Sequence, residues 1–162
     1  MQKTKKLTKT EIFTLIAILT VIVVSVVSMF LNFFKVKTGN SVQFFTLSDL
    51  TEVKKHIELK YFSEVQISAL ITVIITVLTQ IFTLSFKFSK DNAHRQTEKV
   101  ISIILGFLGV VAVIFLIVFA NLFCNKYTQT NVVTYTYAVG LWLLIIISLV
   151  IVSLNTVRLL KR

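Results

Sequence analysis

Apolar residues in this chain gather in four long blocks, Ile12–Phe34, Val65–Phe86, Val100–Phe123 and Tyr135–Leu154, and no block contains Asp, Glu, Lys, Arg or His. A helix needs roughly 20 apolar residues to cross about 30 Å of hydrocarbon at 1.5 Å rise per residue. The blocks are continuous rather than alternating in ~10-residue units, which disfavours a β-barrel. Their many β-branched residues favour strands in water, but an open strand in lipid leaves its backbone unpaired, so helix is expected. The pattern predicts an all-α fold, an integral membrane four-helix bundle with spans at about 12–34, 65–86, 100–123 and 135–154, forming one domain over 1–162. The first block exceeds the ~7–15-residue core of a signal peptide and is expected to remain as a span.

Between the blocks the pattern changes. An outer loop is expected at 35–64 and an inner loop at 87–99. Within the outer loop, Gly39 and Asn40 carry turn chemistry. After them, Leu50, Val53, Ile57 and Tyr61 fall on one face of an amphipathic helix, with Thr46 or Ser48 as its N-cap. That helix reads either as a lid on the bundle or as a docking surface for an external partner. The inner loop, KFSKDNAHRQTEK, reads as a solvated helical hairpin or as a platform for a cytosolic partner, in which case Lys90, Asp91, Arg95 and Lys99 are the contact residues.

Charge sets the orientation. Lys3, Lys5, Lys6, Lys9, Lys87, Lys90, Arg95, Lys99, Arg158, Lys161 and Arg162 fall on one side of the predicted bundle. Lys35, Lys37, Lys54, Lys55, Lys60 and Lys126 fall on the other. The side richer in Lys and Arg faces the cytoplasm, so the chain is expected in a cell membrane with both termini and the 87–99 loop on the cytoplasmic side. The net charge of +10 is accounted for by these flanks and gives no reason to expect nucleic acid. Composition agrees with burial in lipid: 56% of the chain is hydrophobic and 15% charged, against ~45–50% apolar in soluble domains.

One block carries polar residues at helical spacing. Ser68, Thr72, Thr76, Thr79, Gln80 and Thr83 share one helix face. Hydroxyls can bond back to their own helix, whereas the Gln80 amide is expected to need a partner across helices or in water. The third block has Ser102, Gly106, Gly109 and Ala112 at similar spacing, small enough for backbones to approach closely. Both stripes read as helix packing, and the Ser68–Thr83 stripe alternatively as the lining of an oligomeric pore.

Reactive chemistry is sparse. His56 and His94 belong to loops on opposite sides of the membrane, as do Asp49 and Asp91, so neither pair can share a metal or act as paired acids. Cys124 has no second cysteine to pair with in the chain. No enzyme, cofactor or metal is expected.

The layout is a short basic N-terminus, a span, an outer loop, a second span, a short charged loop and two more spans, with ITVIITVLTQIFTLSFKFSKDNAHRQTEKV at its centre. In this it resembles small four-span membrane proteins of phage defence, such as the Rex exclusion membrane protein and the membrane subunit of Kiwa systems. Bacteriocin-immunity proteins share the layout. The resemblance lies in hydropathy and topology and assigns no residue roles. It implies a subunit that binds or senses a partner in defence or immunity. Besides the lipid bilayer, the expected partner is a second copy of the chain or another membrane or cytosolic protein; an oligomeric ion channel is the alternative.

Overall fold

The computed structural model describes residues 8–54, 59–88, 93–128 and 133–160. Helix α1 (Lys9–Ser28) opens with a capping box: the Glu11 amide donates to the Thr8 hydroxyl at 3.3 Å, and the Thr8 amide donates to the Glu11 carboxylate at 2.8 Å. Two donors left free by the first helical turn are thereby satisfied. The chain then forms strand β1 (Phe34–Thr38), strand β2 (Ser41–Phe45) and the short helix α2 (Leu47–Lys54). Two long helices follow, α3 (Phe62–Phe88) and α4 (Ala93–Tyr127). Strand β3 (Val133–Tyr137) and helix α5 (Val139–Leu160) complete the described chain.

Three of these helices are long and apolar enough to cross a membrane, over Glu11–Ser28, Phe62–Thr83 and Val100–Tyr127. The apolar part of α5, Val139–Leu154, is shorter. Helix α3 packs along α4, α5 lies against both, and α1 contacts α3 and α5. Large apolar side chains such as Phe13, Phe107, Ile114 and Leu154 point outward, as they do where lipid rather than water is the solvent.

The all-α expectation is corrected by a three-stranded antiparallel sheet, ordered β2-β1-β3. Thr38 pairs with Ser41 across a two-residue turn. Gly39 takes φ +56° there, a left-handed conformation that glycine adopts without a Cβ clash. On its other edge β1 pairs with β3, from Phe34↔Tyr137 to Thr38↔Val133. The first loop is thus a hairpin followed by α2; the first block leaves the helix after Ser28 and ends in strand at Phe34, and the fourth begins as strand over residues 135–137. Backbone leaving a helix at one end of the bundle still needs hydrogen bonds, and two segments brought side by side by their helices supply them to each other.

Helix α2 is where the amphipathic piece was expected. Thr46 is its cap: the Thr46 amide donates to Asp49 at 2.8 Å and the Asp49 amide donates to the Thr46 hydroxyl at 3.1 Å. The backbone bond from Thr46, then its side chain, hold the Asp49 carboxyl below the usual carboxylate range. Leu47 and Leu50 are buried, and Ile57 lies outside the described residues. Tyr61, in the left-handed region at φ 65°, turns the chain sharply into α3. Beside it the Lys60 amide donates to the Tyr127 hydroxyl at 2.6 Å, tying this turn to the end of α4.

The sheet is clamped to the helices by aromatic rings. Phe123 of α4 is fully buried. Its ring lies 4.8 Å from Phe34 of β1, 5.8 Å from Tyr135 of β3, 6.1 Å from Phe62 of α3 and 5.0 Å from Tyr127. These separations lie within the range favourable for aromatic pairs.

Candidate functional site

Two regions carry the candidate residues: the polar interior between helices and the sheet with its exposed edge. In the interior, Ser68, Thr72, Thr76, Thr79 and Gln80 of α3 are all buried and Thr83 is half-buried. Most of the hydroxyls bond to their own helix. Ser68 donates to the Val65 carbonyl at 3.1 Å, Thr72 to Ser68 at 2.7 Å, Thr79 to Ile75 at 2.7 Å and Thr83 to Thr79 at 2.8 Å. Thr76 reaches across to Ser148 of α5 at 3.1 Å. No hydrogen bond joins the Gln80 amide to another described residue.

Sequence reasoning overlooked the other helices' share of this interior. Ser25 and Ser28 of α1 and Ser148 of α5 are buried as well. The two α1 serines also bond backward, to Val21 at 2.8 Å and to the Ser25 carbonyl at 2.7 Å. Single serines inside apolar blocks give no stripe to notice, and their burial emerges only once the helices are packed. Because Thr76–Ser148 joins two helices, its loss is separable from that of the back-bonded hydroxyls. A double-mutant cycle of Thr76→Val and Ser148→Ala, read by thermal unfolding in detergent, is expected to give a coupling of about 0.6–2 kcal/mol. Thr72→Val, whose hydroxyl serves only its own helix, is expected to cost less.

The small residues of α4 separate into two kinds. A Cβ on Gly109 would stand 3.1 Å from Val152 of α5 and 3.7 Å from Ile75 of α3, so three helices meet there. Gly106 has nothing within 4 Å, and Ser102 is half-buried. The closest approach lies at Gly140, which was not singled out. Its Cβ would fall 2.9 Å from the carbonyl oxygens of both Ser28 and Asn32, and its amide donates to Asn32 at 2.8 Å. It seats the start of α5 on the end of α1.

Of the inner-loop residues, Lys90 and Asp91 lie outside the described residues, while Arg95 and Lys99 fall in the first two turns of α4.

The second region is the sheet. β1 alternates: Phe34 and Val36 are buried, whereas Lys35 is half-buried and Lys37 exposed. β2 is an outer strand, exposed from Ser41 to Phe44, and it presents Val42 and Phe44. Its sequence, SVQFF, contains neither proline nor charge, the usual guards of a strand edge. On the far side, burial raises the Tyr135 hydroxyl and pushes that of Tyr137 up to about 12. Both are therefore neutral donors near pH 7. Tyr137 binds its proton more tightly folded than unfolded, so its contribution is complete below pH 10.0 and fades as pH rises towards about 12. The sequence did hold a signal for the hairpin, two alternating runs separated by Gly39-Asn40.

No protein-family model, curated protein or solved structure matches the chain. Fold and site together define a mostly helical protein with three helices long and apolar enough to cross a membrane and a small sheet at one end.

Proposed function

We propose that this chain is a non-enzymatic membrane protein that crosses the bilayer four times and recognises a protein partner through its sheet. The termini and the 87–99 segment, which includes the start of α4, lie on the cytoplasmic side, the sheet on the other. In support of the fourth crossing, α5 runs from Val139 to Leu160, about 33 Å of helix at 1.5 Å per residue. The observation that carries the functional reading is the exposed outer strand β2. An unguarded edge accepts an extended segment from a partner as a further strand, and Val42 and Phe44 offer it apolar contact. The clamp at Phe123 holds that edge in fixed relation to the helices. Phage defence or bacteriocin immunity is the setting we place it in, on the resemblance in layout.

Gentle-detergent affinity purification with mass spectrometry tests the reading. A partner retained by the wild type is expected to be lost from Val42→Pro and Phe44→Lys and kept by a variant with Arg95 and Lys99 replaced. The opposite pattern moves recognition to the cytoplasmic hairpin.

The competing reading is an oligomeric channel lined by the α3 stripe. Gln80 favours it, since a side-chain amide on a spanning helix calls for a partner across helices or for water. The inward packing and back-bonding of the hydroxyls favour helix packing instead. Ion flux in liposomes that Thr76→Leu and Gln80→Leu abolish would establish the channel and overturn the recognition reading.

A further inference from the structure

A groove of about 570 Å³ runs from the sheet down the flank of α5. Its sheet end is formed by Lys35, Phe44 and Tyr137, and its wall by α5 residues that include Trp142, Ile146 and Ile147. The α5 residues recur at the spacing of one helix face, from Val139 to Ile147. That face rises about 12 Å along the helix. The volume falls within the ~300–1,000 Å³ of small-molecule sites.

The lining is asymmetric. Its one charged residue, Lys35, sits at the sheet end, and everything farther along α5 is apolar or aromatic. A protein helix or a second copy of the chain would meet no single cation at one end as a requirement. An amphiphile with an anionic head and a hydrocarbon tail matches it end to end. Tyr137 closes the sheet end with its ring, 5.7 Å from that of Trp142.

We infer that this groove binds one membrane phospholipid with an anionic headgroup, its head held by Lys35 and an acyl chain laid along α5 past Trp142 and Ile146. Membrane supply explains how a site so apolar is filled: the groove opens on the flank of an apolar helix, where lipid arrives by lateral diffusion. A lysine at the level of the headgroups attracts anionic lipid. The inference requires that α5 lie in the bilayer. Phe44 belongs both to this groove and to the proposed partner edge, so the test uses Lys35 and Ile146, which lie outside β2.

The full chain is equilibrated with vesicles of equal phosphatidylglycerol and phosphatidylcholine, extracted in mild detergent and examined by native mass spectrometry. The wild type is expected to retain phosphatidylglycerol over phosphatidylcholine, and Lys35→Ala to lower that preference by about fivefold. Lys37→Ala, on the same strand but outside the groove, is expected to leave it unchanged. Ile146→Trp fills the groove from an exposed position and is expected to remove both lipids. If that variant unfolds, Ile147→Phe serves the same purpose. Equal effects of Lys35→Ala and Lys37→Ala would reduce the preference to general surface charge and overturn the site. So would unchanged lipid retention in the filled groove, or a lipid-free dimer that Ile146→Trp dissociates.

Discussion

Phe123→Ala is expected to lower stability by about 3–5 kcal/mol and to release the sheet from the helices. The side chain is fully buried, and its ring is shared by β1, β3, α3 and the end of α4. Truncation removes several ring contacts at once and leaves a cavity where four elements meet. The neighbours hang on backbone already fixed by strand pairing, so they cannot close the gap cheaply. Phe115 provides the comparison. It is on the same helix, stacked on Phe119 at 5.9 Å, but half-exposed to the helix surroundings. In lipid its truncation exchanges protein contacts for acyl-chain contacts, and Phe115→Ala is expected to cost far less. Cys124 is the single cysteine and is buried, so its reaction with a maleimide dye on heating reports unfolding of both variants directly.

Substitutions of glycine should rank by the space around each. Gly140→Ala places a methyl group 2.9 Å from two carbonyl oxygens of the α1 end, and neither can yield without opening that end. A loss of about 1–3 kcal/mol is expected, and Gly140→Val is expected to prevent α5 from seating on α1. Gly109→Ala meets a valine side chain at 3.1 Å and should fall between the extremes. Gly106→Ala meets nothing and is expected to be neutral or to stabilise by up to about 1 kcal/mol through helix propensity. Melting temperatures in one detergent give the order, and Gly106→Ala as the most damaging of the three would refute the packing described.

What was legible in the sequence was what lipid dictates. Long uncharged blocks must be helical, so α1, α3 and α4 were readable from length alone. α2 was readable from the spacing of Leu50 and Val53 and the cap residues before it. The inward face of α3 followed from the Ser68–Thr83 spacing, because that periodicity is set by the helix itself. The sheet was harder to find because half of its pairing is nonlocal: Thr136 reaches the Lys35 carbonyl 101 positions away, at 3.4 Å. β3 was also hidden by composition. VTYTY runs into the apolar stretch of α5 without a break, and tyrosines beside a membrane helix look like an interfacial belt. Gly140 was missed for a related reason, since its role depends on where α1 ends rather than on any repeat within α5.

The central structural claim is that the two segments at one end of the helices form a single sheet. It is tested most directly by a disulfide across β1 and β3. Lys37 and Thr134 are exposed and opposite each other in register, and paired strand residues stand at separations a disulfide spans. In a Cys124→Ala background, Lys37→Cys together with Thr134→Cys is expected to crosslink rapidly under mild oxidation in native membranes. Two thiols that both react with maleimide yet never form the disulfide would contradict the fold.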